Sequence, residues 1–186
     1  MTTFQKKLEE IIRVDHAGEM GAKVIYDGQM AALKLKGDLE TLELVKHMKE
    51  QENVHFDYFN SEIRRKQIRP TFMQPVWKVG GFALGFFTAL ADKKAAMTCT
   101  TAVEEVIDEH YQEQIVDLSK EENFLDENQK LEVAALKEKI EKFRAEELEH
   151  RDIGYEQKAA ELNCFAPLSA FIKATTKFAI AVSKRV

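Results

Sequence analysis

The chain has 186 residues and carries 27 Lys plus Arg against 32 Asp plus Glu, a formal charge of -5 at pH 7. At 21.3 kDa it reads as one domain, residues 1–186, long enough for a substantial core, and its acidic balance argues against general nucleic-acid binding. Three prolines and eight glycines, beside abundant Glu, Lys, Ala and Leu, favour helix over sheet, so the expected fold class is all-α. Cys99 and Cys164 show neither metal-type spacing nor a disulfide framework, which predicts buried, reduced thiols.

The first residues, Met1-Thr-Thr-Phe-Gln-Lys-Lys7, lead directly into a charged amphipathic stretch with no apolar core of a targeting peptide. Apolar residues Leu8, Ile11, Ile12, Val14, Ala22, Ile25, Met30 and Leu33 recur at steps of mostly three and four, predicting a first helix over about 4–35. Gly37-Asp38 supplies a stop and a fresh N-cap, and a second helix is expected from Asp38 to Lys66, closed by Pro70 and Pro75. The stretch from Pro75 to Ala91 holds the only tryptophan and three of the twelve phenylalanines; its composition suits an interfacial or re-entrant segment. Its uncharged run, 79–91, is too short to span a bilayer, which takes roughly 20 helical residues, so no transmembrane protein is expected. A third helix is predicted from Asp92 to about Lys120, a polar link over 121–128, a fourth helix from Asp126 to Leu162, and a final amphipathic helix starting at Pro167.

Within this all-α frame two Glu-x-x-His units occur, Glu52/His55 and Glu147/His150, each preceded by a lone glutamate, Glu19 and Glu104. Residues three apart share a helix face, so each Glu-x-x-His unit can reach one cation. The upstream separations, 33 (52 minus 19) and 43 (147 minus 104), fit one helix, a turn and part of a returning helix. Four glutamates and two histidines on four helices are what a two-metal site in a bundle requires, and buried carboxylates are costly without a cation. Hard oxygens with one imidazole per metal suit iron or manganese better than zinc. Around Glu19, the small residues Ala17, Gly18, Gly21 and Ala22 permit close approach of a helix or a ligand while weakening the helix itself.

The runs Asp15-His-Ala-Gly-Glu19 and Glu146-Glu-Leu-Glu-His150 are specific. Together with Ile25-Tyr-Asp-Gly-Gln-Met-Ala31, Gly81-Phe-Ala-Leu-Gly85, His110-Tyr111 and Asp152-Ile-Gly154, they make nearly the whole chain resemble the demethoxyubiquinone hydroxylases, membrane-associated ferritin-like di-iron proteins. The resemblance implies a ferritin-like four-helix bundle with the apolar segment between its second and third helices and an added amphipathic C-terminal helix. It implies a di-iron centre held by Glu19, Glu52, His55, Glu104, Glu147 and His150, with Glu52/His55 on one iron, Glu147/His150 on the other, and Glu104 among the bridges. Its reaction would be O2-dependent hydroxylation of a demethoxylated polyprenyl quinol or quinone, with NADH as candidate reductant; a ferritin-like iron store is the alternative. Implied partners are the quinone, a membrane surface, a lipid-binding accessory protein and a second copy of the chain. The implied location is peripheral, on the cytoplasmic face of a bacterial membrane or the matrix face of the mitochondrial inner membrane.

By the same resemblance His110 and Tyr111 belong to the quinone site as catalytic candidates, against the plainer reading of Tyr111 as a core tyrosine. His16 either orients Glu19 or is an ordinary polar histidine. Glu146 could accept the outer N–H of a metal-bound imidazole, although exposure is the simpler expectation for it and for Glu105. His47 is expected on the surface. The family usually has an aromatic where Met20 stands, which points to an altered pocket near the metals, and the link at 121–128 looks longer than usual.

Overall fold

The computed structural model describes residues 3–122 and 125–185, and among these it is all-α, with no strand. The six α-helices are α1 (Thr3–Lys36), α2 (Leu39–Lys66), α3 (Gln74–Ala91), α4 (Lys93–Glu121), α5 (Glu127–Glu156) and α6 (Phe165–Ser183), with a 3-10 turn at Ala159–Glu161. Local chemistry sets the boundaries. Gly37, at φ +72°, turns the chain in the left-handed region, and Asp38 caps α2 by accepting from the Thr41 N–H at 3.1 Å. Asp92 caps α4, and Asp126 with Gln129 forms a reciprocal capping box on α5. The link expected over 121–128 is described only in part, since Asn123 and Phe124 lie outside the described residues.

The short α1–α2 turn and the α4–α5 link make two antiparallel hairpins, which face each other as a four-helix bundle. Helix α3 bridges the hairpins and packs along α1; α6 packs chiefly on α4. The segment expected to be interfacial or re-entrant is thus a regular 18-residue helix, with Pro75 harmless in its first turn. Its contact with α1 is unusually close: a Cβ on Gly85 would stand 1.9 Å from the Ile25 carbonyl oxygen, and one on Gly28 would stand 2.2 Å from that of Phe82. The glycine cost inside a helix, about 1 kcal/mol each, is offset here by helix-to-helix packing that only hydrogen side chains allow.

Two boundaries differ from expectation. The fourth helix, expected to reach Leu162, ends at Glu156, because the backbone turns left-handed at Lys158 (φ 68°) and continues as the 3-10 turn. The last helix begins two residues before Pro167, which sits in the first turn, where its missing N–H costs nothing. Cys99 is buried as expected, but Cys164 is exposed just before α6. Two apolar clusters fill the bundle. One, built on Ile12, Phe59, Leu118, Ile140 and Phe143, lies toward one end; the other, built on Tyr26, Leu33, Val45, Met48 and Met97, lies toward the other. The six candidate ligands sit in the layer between them.

Candidate metal centre

Glu19 comes from α1, Glu52 and His55 from α2, Glu104 from α4, and Glu147 and His150 from α5. Each is at most 3 % exposed, so none is a solvated surface charge. Their donor atoms form two groups, Glu19/Glu52/His55/Glu147 and Glu52/Glu104/Glu147/His150, each with its atoms within 4.8 Å of one another. The groups share Glu52 and Glu147. Glu104, expected among the bridges, is in the second group only, as Glu19 is in the first only. Glu147 lies between the rings, 3.0 Å from His55 Nδ1 and 3.2 Å from His150 Nδ1, while Glu19 and Glu52 approach His55 and His150 at 3.4 and 3.2 Å.

Burial and mutual repulsion push Glu52 well above the usual carboxylate range, burial and Glu147 do the same to Glu104, and burial raises Glu19 despite His55. For His55, burial acts downward but hydrogen bonds and charges from Glu147 and Glu19 outweigh it, lifting the ring to about 12. His150 is raised and Glu147 lowered by the same pairing against the pull of burial. Four carboxylates in a dry layer therefore demand positive charge. Glu19 Oε2, both Glu52 oxygens and Glu104 Oε2 have no well-formed hydrogen bond within the protein. Two divalent cations would neutralise the four carboxylates, use those oxygens and take the Nδ1 lone pairs of two neutral rings, so the residues fit a dinuclear metal centre.

The surrounding polar groups are ordered in pairs. Tyr26 donates to Glu104 Oε1 at 2.8 Å, and Tyr111 donates to Glu19 Oε1. The outer nitrogens of the rings are held across the bundle: His55 Nε2 lies 2.6 Å from Glu146 Oε2, and His150 Nε2 lies 2.8 Å from Gln51 Oε1. Glu146 is thus a ring partner with 22 % of its side chain exposed, not merely a surface acid. Tyr26 and Gln51 were not singled out from sequence. The only signal for Gln51 was its place immediately before Glu52, matching that of Glu146 before Glu147.

Of the other expected site residues, Tyr111 reaches the ligand layer and the rest lie around it. Tyr111 is buried against Glu19, and His110 lies with Asp15 and Gln114 beside a small crevice, 3.4 Å from Asp15 Oδ1 and 2.9 Å from Gln114 Nε2. His16 packs tilted against Phe56, ring centroids 5.0 Å apart, and faces Gln74, not Glu19. Glu105 is partly buried and pairs with Lys173 and Tyr155; His47 is exposed as expected.

Beside the metal layer is an apolar cavity of about 290 Å³ between α1, α3, α4 and α6. Ala17, Gly18 and Gly21 form its α1 wall and Val103 and Ile107 its α4 wall, so the cavity and the ligands Glu19 and Glu104 share the same helical turns. Trp77 and Phe171 lie on the opposite side. Met20 is buried but takes no part in the wall, so the departure expected to change the pocket does not reach it.

The family model for "Ubiquinone biosynthesis protein COQ7" matches residues 6–183. The chain belongs to this family. It is 45% identical to the 3-demethoxyubiquinol 3-hydroxylase of Rhodospirillum rubrum, over 96% of this chain and 78% of that protein. It is 44% identical to the human mitochondrial NADPH-dependent 3-demethoxyubiquinone 3-hydroxylase, over 96% of this chain and 78% of the human protein. The Caenorhabditis elegans protein of the same name is 35% identical, over 98% and 92% of the two chains. The chain is accordingly an enzyme, a hydroxylase of ubiquinone biosynthesis within the COQ7 family. Where NADH was the expected reductant, the human and nematode relatives are named for NADPH.

Proposed function

We propose that this COQ7-family hydroxylase is a di-iron monooxygenase, acting on the ring of a demethoxylated polyprenyl quinol or quinone taken from a membrane surface. The observation that carries the reading is the apolar cavity lying on the same turns of α1 and α4 as Glu19 and Glu104. When bound, two irons would supply activation of dioxygen, one atom entering the ring and the other leaving as water with two electrons from an external reductant such as NADPH. Glu19, Glu52, His55, Glu104, Glu147 and His150 would hold them, with Glu52 and Glu147 common to both. Tyr111 fixes the Glu19 carboxylate through its phenolic O–H and Tyr26 does the same for Glu104, so both outer ligands keep their aim as substrate arrives. The cavity wall would exclude water and lay the ring beside the metals. No Gly-x-Gly-x-x-Gly run is present in the sequence, in keeping with a reductant that binds without a nucleotide fold.

Substrate delivery would come through α3 and α6. Val76, Val79, Phe82 and Phe87 on α3 and Phe171 and Phe178 on α6 are each more than 40 % exposed, beside the helices that close the cavity. By length and composition α6 could cross a membrane, a property hidden from a search for uncharged runs because Lys173 and Lys177 interrupt it. Those lysines pair with Glu105 and Glu109 of α4, tying α6 along the bundle and favouring a helix that lies in the interface over one that spans. Exposed Lys78, Lys184 and Arg185 complement anionic headgroups.

The test is anaerobic iron loading, then dioxygen with a short-tailed demethoxyquinol and reductant, with mass spectrometry of the quinone. A gain of one oxygen atom is expected. Iron uptake and oxidation without that product would sink the di-iron monooxygenase reading.

A further inference from the structure

The two halves of the centre match in ligands and in tyrosines but not in what holds their histidines. Coordination through Nδ1, the nitrogen each ring turns toward the glutamates, leaves the proton on Nε2, which then needs an acceptor. For His55 that acceptor is the Glu146 carboxylate at 2.6 Å; for His150 it is the neutral Gln51 amide oxygen at 2.8 Å. Each partner immediately precedes the shared glutamate of its own hairpin and reaches across to the histidine of the other. A charge-assisted hydrogen bond is about twice as strong as a neutral one and makes the ring a better electron donor to its metal. Lys142 sits 3.6 Å from the other Glu146 oxygen, Oε1, and being itself exposed only partly offsets this charge.

Resting on the di-iron reading, we propose that Glu146 and Gln51 are positioning residues that make the two metal sites inequivalent. The Glu19/His55 site binds its cation more tightly and gives up an electron first, and the Glu104/His150 site is the one that loads last and empties first. The structure offers its own control, because Tyr26 and Tyr111 supply one O–H donor to each outer glutamate and so do not break the match.

The test is calorimetric titration of the metal-free full chain with Mn(II), and with Fe(II) under anaerobic conditions, together with the midpoint potential of the iron-loaded protein. The unmodified chain should take two ions in two resolved steps. Glu146→Gln should weaken the tighter step roughly 10- to 100-fold, merge it with the weaker one and raise the first oxidation potential. Gln51→Glu should tighten the weaker step and lower a potential, a gain that mere misfolding cannot imitate. Glu19→Gln should remove the tighter step and Glu104→Gln the weaker. Two ions bound with unchanged affinities and potentials in both Glu146→Gln and Gln51→Glu would overturn the inequivalence, as would loss of the tighter step in Glu104→Gln. If the unmodified chain takes up no metal, the di-iron reading itself falls, an outcome distinct from two ions bound alike.

Discussion

The metal layer and the α3/α6 face sit on opposite sides of the same turns of α1 and α4, and they are built by opposite means. In the layer, position is set by charge: six buried groups whose donor atoms gather in two clusters, each within 4.8 Å, with four carboxylates asking for cations. On the face, position is set by shape: glycines let α3 sink onto α1, and phenylalanines stay outside because nothing among the described residues covers them. A charge-built site should fail abruptly when one shared group is removed. A shape-built face should fail by degrees.

The sharpest way to break the contrast is at the shared glutamates. Glu52→Ala or Glu147→Ala should abolish uptake of both ions and lower turnover roughly 10³-fold or more, the equivalent of about 4 kcal/mol of lost stabilisation by metal. Glu19→Ala or Glu104→Ala should leave one ion bound, read as metal-to-protein ratio by elemental analysis. Two ions retained in Glu52→Ala would end the assignment of Glu52 as a shared ligand.

Much of this layer is legible in the sequence, and the reason is periodic. A helix repeats every 3.6 residues, so Glu52 with His55 and Glu147 with His150 announce one face without any knowledge of the fold. The partners across the bundle carry no such signal. Gln51 meets His150 across 99 positions and Tyr26 meets Glu104 across 78, and a neutral amide or a lone tyrosine in a helix does not declare a partner that far away. Which glutamates are shared is equally invisible, since it depends on how the hairpins face each other. Gly81-Phe-Ala-Leu-Gly85 shows the limit from the other side. Its composition suggested an interfacial or re-entrant segment but not the reason for its glycines, which let a regular helix lie unusually close to α1. The early end of α5 was hidden because a lysine, not a glycine, adopts the left-handed turn.

On the face, the expected losses are smaller and graded. Phe87 is 65 % exposed, whereas Phe86 stacks on Phe82 and packs against the core, so Phe87 is the cleaner probe of membrane contact. Phe87→Asp and Phe178→Asp should each weaken flotation with anionic liposomes roughly 10- to 100-fold, the equivalent of about 1.5–3 kcal/mol per apolar side chain. Metal content should stay unchanged. Undiminished flotation of the double variant would remove the face from substrate delivery.

The glycines separate the two roles most finely. At Gly85 an added methyl meets Ile25 backbone, which cannot rotate away, so Gly85→Ala should cost about 1–3 kcal/mol and lower Tm by several degrees. At Gly21 nothing lies within 4 Å of the added carbon, and the residue lines the cavity. Gly21→Ala should therefore stabilise the fold by roughly 0.5–1 kcal/mol through helix propensity while occupying space that the proposed function gives to the ring. Thermal unfolding and KM for a short-tailed demethoxyquinol should then move in opposed senses, with higher Tm and higher KM. A rise in Tm with KM unchanged would mean that the ring lies away from this wall and that α1 is kept slender there for some reason other than substrate. Because the same helix carries Glu19 two residues earlier, metal content is the control that separates a crowded pocket from a disturbed ligand.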